Sequence, residues 1–197
     1  MTELTIEGLI LGIGYLAIFG CMFTNGLSGL PSSPFVYVTA GFLIPTGQLD
    51  WAPVLFWGTF GNVLGNIALY ELTRRKGFDW VMRRSGYLRR YESVATKLRK
   101  GFEKRGIRIV CIGKFIPMVK VVIPIVAGVA QMQRKLFALL VAATSFFWAF
   151  GSVGYGFYFG KAVETKNFTL VTTFMFVVTA FVLWWFFQYI KRIPLEE

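Results

Sequence analysis

Histidine is absent from this chain of 197 residues, and acids are scarce, with ten Asp and Glu against twenty-one Lys and Arg. Without an imidazole, serine and cysteine triads, histidine-dependent phosphate chemistry and nearly all zinc catalysis are excluded. Clustered aspartates of the kind that hold metals for phosphotransfer are missing too. The two cysteines, Cys21 and Cys111, each sit in an apolar run with no C-x-x-C spacing, so they read as packing residues rather than a disulfide or a metal site. Gly154, Gly156 and Gly160 are not followed by the Lys-Ser/Thr of a phosphate-binding loop, and they read as close helix packing. No enzyme, cofactor or metal centre is expected.

What the chain has in excess is apolar surface. Apolar residues make up 55% and aromatics 18%, which places it among integral membrane proteins as a single membrane domain. The net charge of +11 is concentrated: Arg74 to Arg108 holds thirteen Lys and Arg against three acids, Asp79, Glu92 and Glu103. Short segments beside membrane spans carry such charge on the cytoplasmic face and meet anionic headgroups there, so a membrane surface rather than nucleic acid is the expected partner.

Span candidates run over about 4–23, 52–72, 136–159 and 168–190. Gly61 and Gly65 lie four apart in the second and share a helix face, where small residues let another backbone approach. Between the first two spans, Pro31, Pro34 and Pro45 interrupt the apolar run over 27–49. A second interrupted stretch, 107–130, carries Lys114, Pro117, Lys120 and Pro124. The two stretches echo each other, since Pro31, Pro34 and VTAG ending at Gly41 parallel Pro117, Pro124 and IVAG ending at Gly128. Proline-broken segments in corresponding halves are the strongest sequence pointer to a transporter site. From 77 to 106 the pattern is helical and amphipathic, with apolar residues at three- and four-residue steps among basic ones, and it is expected to lie on the cytoplasmic surface.

The charge distribution selects a topology. If both broken stretches are re-entrant, seventeen basic residues, including Arg134, Lys135, Lys191 and Arg192, face the cytoplasm and only Lys161 and Lys166 face outward. The expected fold is therefore all-α: about four transmembrane helices plus two opposed re-entrant hairpins in an inverted repeat. Residues 1–76 form the first repeat, 77–106 the amphipathic helix, 107–162 the second repeat and 163–197 the terminal helix, with the N-terminus cytoplasmic.

A Lys near the bilayer centre costs about 2.5–3.5 kcal/mol, so Lys114 and Lys120 need a cavity, a partner or an anionic ligand. Six residues apart, they point about 240° apart on an unbroken helix, and Pro117 between them lets both turn toward one cavity. The alternative is that both snorkel to an interface. A phosphate is the anion such a pair suits, although Lys binds it as a point charge without the planar fork of Arg. Asn66 and Glu71 are polar residues of the second span. Glu71 is open to a proton-carrying role or to a surface ion pair with Arg74 and Arg75.

The order Gly113, basic 114, Phe115, Ile116, Pro117, basic 120, Ala127-Gly128, Met132 and Phe137 resembles the signature of the DedA family, also called the VTT domain or SNARE-associated Golgi protein family. The family usually has Arg where this chain has Lys114 and Lys120. Gly61, Gly65 and Tyr70 fit its second-span pattern, but Asn66 stands where the family has an acid, and Ser32, Ser33 and Pro34 occupy the neighbourhood of another. The resemblance implies opposed re-entrant hairpins and transport of undecaprenyl phosphate in a bacterial or archaeal plasma membrane, or phospholipid scrambling as in eukaryotic relatives. The expected function is thus a flippase or scramblase for an anionic, phosphate-headed lipid, binding through Lys114, Lys120, Pro117, Gly113, Gly128, Asn66, Tyr70 and Ser33. A homo-oligomer is compatible with this reading. The alternatives are a proton-coupled carrier of small ions or drugs and, from a different class, a phospholipid-modifying enzyme.

Overall fold

A computed structural model describes residues 2–84 and 117–164, and between them residues 92, 95, 96, 98, 106, 107, 109–111, 113 and 114. Its elements are α1 (Thr2–Ser28), α2 (Ser33–Leu43), α3 (Trp51–Lys76), α4 (Phe78–Arg84), α5 (Pro117–Val129) and α6 (Arg134–Glu164). There is no strand among the described residues. Among the described residues, three helices are long and apolar enough to cross a membrane, in the segments Leu11–Ser28, Trp51–Lys76 and Arg134–Val163. The span expected over 168–190 lies outside the described residues, as does most of the amphipathic segment 77–106, of which α4 is the first part.

Helix ends follow local chemistry. α3 stops after Arg74, Arg75 and Lys76, where Gly77 turns out of the helix at φ 85° while its N–H still bonds the Thr73 carbonyl at 2.9 Å. α5 closes in the same manner at Gln131, whose φ of 55° lets the Met132 N–H return to the Ala127 carbonyl at 3.1 Å. α1 ends at Ser28, five residues beyond the expected end of the first span. The chain breaks only at Gly29, at φ 85°, and the cis Leu30–Pro31 bond. Asn25 closes this turn by donating to the carbonyls of Gly29 (3.0 Å) and Pro31 (2.5 Å).

α3 and α6 run antiparallel along their length. Glu71 meets Arg134, Tyr70 stacks on Phe137 with centroids 4.5 Å apart, Asn62 bonds Ser145, and Trp51 lies against Phe150 and Phe157. α1 travels beside the first half of α3 in the same direction. Its Tyr15 hydroxyl accepts the Asp50 N–H at 3.0 Å, Phe19 meets Trp57 and Phe60, and Gly26 touches the Asn62–Asn66 turn. α1 therefore ends level with the middle of α3, and α2 carries the chain back. α5 covers the other half of α3, from mid-helix to Arg74.

Glycine decides how closely these helices approach. A Cβ on Gly65 would strike the Phe23 carbonyl, and one on Gly61 would lie 2.5 Å from the Phe19 carbonyl, so the small face read from the sequence is the seat of α1. Gly156 and Gly160 seat α2 against α6 in the same way. The paired VTAG and IVAG motifs acquire a physical meaning here. A Cβ on Gly41 would collide with the Val153 carbonyl of α6, and one on Gly128 would lie 2.6 Å from the Tyr70 carbonyl of α3. Each short helix thus presses its motif glycine onto the long helix of the other half. Two apolar clusters result, one around α1, α2 and Val153, the other around α5, Tyr70 and Phe137.

Candidate functional site

The tips of the two broken segments meet between the midpoints of α3 and α6. They enclose a cavity of about 30 Å³ lined by Asn25, Ser33, Asn62, Asn66, Lys114, Lys120 and Ser145 among others. Glycine at residue 113 lets that backbone lie close against α5: a Cβ there would lie 2.7 Å from Val119 and 2.8 Å from Ile123. α5 begins at Pro117, which accepts the first helical position because no N–H is needed there. Lys114, ahead of α5, and Lys120, within it, thus line one space.

Each ammonium is held by neutral oxygen. Lys114 Nζ donates to Asn66 Oδ1 at 2.9 Å and reaches Asn62 Oδ1 and Ser145 Oγ, each at 3.5 Å. Asn62 is the hub of this network. Its Oδ1 also accepts from Ser145 Oγ at 2.9 Å and from Asn66 Nδ2 at 3.1 Å, while its Nδ2 donates to Asn25 Oδ1 at 3.0 Å. Lys120 Nζ donates to Ser33 Oγ at 2.9 Å. Among the described residues, no carboxylate lines the cavity. Amide and hydroxyl dipoles offset part of the cost of two cations removed from water, but a net positive charge remains, and a low-dielectric pocket of that kind favours an anion.

Of the residues singled out from the sequence, Lys114, Lys120, Asn66 and Ser33 line the cavity, while Gly113 lies just before Lys114 and Pro117 begins the helix that carries Lys120. Tyr70, Gly128 and Glu71 lie nearer the C-terminal end of α3. The Tyr70 hydroxyl donates to the Met132 carbonyl and accepts from Arg74 at 2.5 Å. Gly128 seats α5 on α3. Glu71 pairs with Arg134 at 2.9 Å and Arg75 at 3.7 Å, joining the start of α6 to the end of α3. Asn25, Asn62 and Ser145 join the site without having been singled out. A signal for the first two existed: three of the four asparagines in the chain, Asn25, Asn62 and Asn66, fall within long apolar helices.

Residues 30–158 match the VTT domain family. Among curated proteins, the chain is 29% identical to the uncharacterized membrane protein YbfM of Bacillus subtilis, over 74% of this chain and 90% of that protein. It is 24% identical to undecaprenyl phosphate transporter A of Staphylococcus aureus, over 77% and 76% of the two chains. It is also 29% identical to an alkaline phosphatase-like protein of Lactococcus lactis subsp. cremoris, over 75% and 71%. No solved structure matches.

Proposed function

This chain belongs to the VTT domain (DedA) family of membrane proteins, and from that premise we propose that it is a transporter moving a phosphate-headed lipid between leaflets. The observation that carries the reading is the pair Lys114 and Lys120, both facing one cavity with neutral acceptors alone. A phosphate supplies the missing negative charge and accepts charge-assisted hydrogen bonds from both ammoniums. The name of the Staphylococcus relative points to the same ligand class.

The second half of α1 with α2, and the turn at Gly113 with α5, serve as the two opposed re-entrant hairpins. Each reaches only the middle of α3, the first from the end where α3 begins and the second from the end where it stops. The basic residues after Arg74 put the latter end in the cytoplasm. Because α1 is level with the start of α3 at Tyr15, the first half of α1 belongs on the outer side, in place of the cytoplasmic N-terminus expected from the sequence. The cavity holds about 30 Å³, room for roughly two waters. A headgroup therefore enters by parting the hairpin tips, and opening them alternately to the two faces moves it.

The phosphatase-like name is not carried over. The chain has no histidine, and among the described residues no three His, Cys, Asp or Glu side chains gather. Proteoliposomes carrying a fluorescent short-chain prenyl phosphate test the proposal. The wild-type chain is expected to equilibrate the probe between leaflets and the Lys114→Gln/Lys120→Gln chain to fall to the protein-free rate. Equal rates for the two proteins would overturn it.

A further inference from the structure

Beside the polar cavity lies a second space of a different chemistry. Between α1 and α2 a groove of about 750 Å³ is lined by Ala17 and Cys21 on one side and Phe35, Val36, Thr39 and Leu43 on the other. Among the described residues, no charged side chain lines it. The groove and the cavity occupy successive turns of the same two helices: Cys21 lines the groove, and Asn25, four residues on along α1, lines the cavity. Ser33, which accepts from Lys120, is one helical turn from Val36, about 4.5 Å along α2.

We infer that this groove is the seat of the hydrocarbon chain of a single-chain lipid phosphate whose headgroup lies at Lys114 and Lys120. The inference rests on the phosphate-headed reading above and adds to it where the chain runs. Two ammoniums and no carboxylate match a phosphate monoester, which carries about −1.5 to −2 charges at neutral pH, better than a singly charged diester. The groove between α1 and α2 starts one helical turn from Ser33 and has the width of one gap between two helices, which matches one chain. With the phosphate at Lys120 and Ser33, the first carbons meet Val36 and Thr39 and the remainder follows α2 toward Leu43. Burial there removes the chain from competition with bulk lipid through fit, since apolar contact alone is available everywhere in a bilayer.

Binding of geranylgeranyl phosphate and of methyl phosphate, which has no chain to seat, to the full chain in phosphatidylcholine nanodiscs tests the inference, with variants compared in the same bilayer so that partitioning cancels. Ala17→Trp and Thr39→Trp fill the groove from exposed positions on its two walls. Each is expected to weaken geranylgeranyl phosphate on the order of tenfold, through loss of the packing contacts that the groove makes with the chain, and to leave methyl phosphate unchanged. Lys120→Gln is expected to weaken both probes equally. Wild-type affinity for geranylgeranyl phosphate in both Trp variants overturns the tail site and leaves the headgroup reading standing. Failure of the wild-type chain to bind either phosphate overturns both. Cys21 gives a readout without a bulky substitution: in the Cys111→Ser chain, alkylation of Cys21 by N-phenylmaleimide is expected to slow severalfold with geranylgeranyl phosphate and not with methyl phosphate. An unchanged rate with the longer probe overturns the tail site.

Discussion

Lys120 donates its ammonium to Ser33 Oγ at 2.9 Å, and the two residues hold corresponding places in the two halves of the chain. They are separated by 87 residues, the same interval that separates Gly41 from Gly128. One short helix presents a cation at this position and the other a hydroxyl, and they meet tip to tip. Lys114 sits differently, tied to Asn62, Asn66 and Ser145 on the two long helices. The lysines therefore differ in how far each is held in place, Lys120 bonding, among the described residues, to Ser33 of the opposing helix alone.

Single substitutions at the lysines separate these roles. Lys114→Gln and Lys120→Gln each remove a charge-assisted contact worth about 1.5–3 kcal/mol, so phosphate affinity is expected to fall by roughly ten- to a hundredfold. Expression should persist, because losing an intramembrane charge eases insertion. Lys→Arg at either position is expected to retain binding, which titration of geranyl phosphate into the purified proteins measures. Wild-type affinity in both Gln variants contradicts the phosphate site and favours snorkelling lysines.

Asn66→Asp places a carboxylate where an amide oxygen now lies 2.9 Å from Lys114 Nζ. At neutral pH the ion pair neutralises Lys114 and competes with phosphate. As pH falls and the new carboxyl is protonated, Lys114 is released and binding returns. Affinity measured across pH is therefore expected to rise toward acid in the variant relative to the native chain, and superimposable profiles would show that residue 66 does not govern the site.

The motif glycines are predicted to be structural. Gly41→Ala and Gly128→Ala force a methyl into facing backbone and are expected to cost about 1–3 kcal/mol each. Gly151→Ala meets nothing within 4 Å and serves as the control, with a change of about 1 kcal/mol or less, from helix propensity. Thermal unfolding in detergent ranks the three, and equal melting temperatures would refute the backbone contact.

At the end of α3, Tyr70→Phe and Glu71→Gln probe the joint with α6. Arg74 still reaches the Met132 carbonyl at 3.0 Å when the Tyr70 hydroxyl is gone, so the loss is expected to be about 1 kcal/mol. Glu71 pairs with Arg75 and Arg134, which are 73% and 60% exposed, so its loss is expected to cost less than about 1 kcal/mol. Transport assayed at several pH values is expected to be unaltered by Glu71→Gln. A flattened pH profile would instead make Glu71 a proton carrier.

Much of the site was legible because bilayers punish charge and broken backbone, which makes Lys114, Pro117 and Lys120 conspicuous in an apolar run. Ser33 was reached through its place beside the first proline-broken helix, and Asn66 through its departure from the family pattern. Asn25, Asn62 and Ser145 were not singled out, since polar residues of that size are tolerated singly in membrane helices when they bond locally. Their importance comes from converging on one another, across 37 and 83 residues of sequence.

The sequence by itself determined the solvent and the surfaces: composition demanded a bilayer, glycine spacing marked where helices touch, and proline and lysine marked where a helix must break around a charge. Helical periodicity fixes which residues share a face, but it carries no information about depth against a neighbouring helix. Only the tertiary structure decided that α1 ends level with Asn66, that Tyr70 and Glu71 sit toward the end of α3 away from the cavity, and that Ser33 meets Lys120. Those registers are set by backbone contact at Gly26, Gly41, Gly65 and Gly128, where the missing Cβ of one helix receives the carbonyl of another.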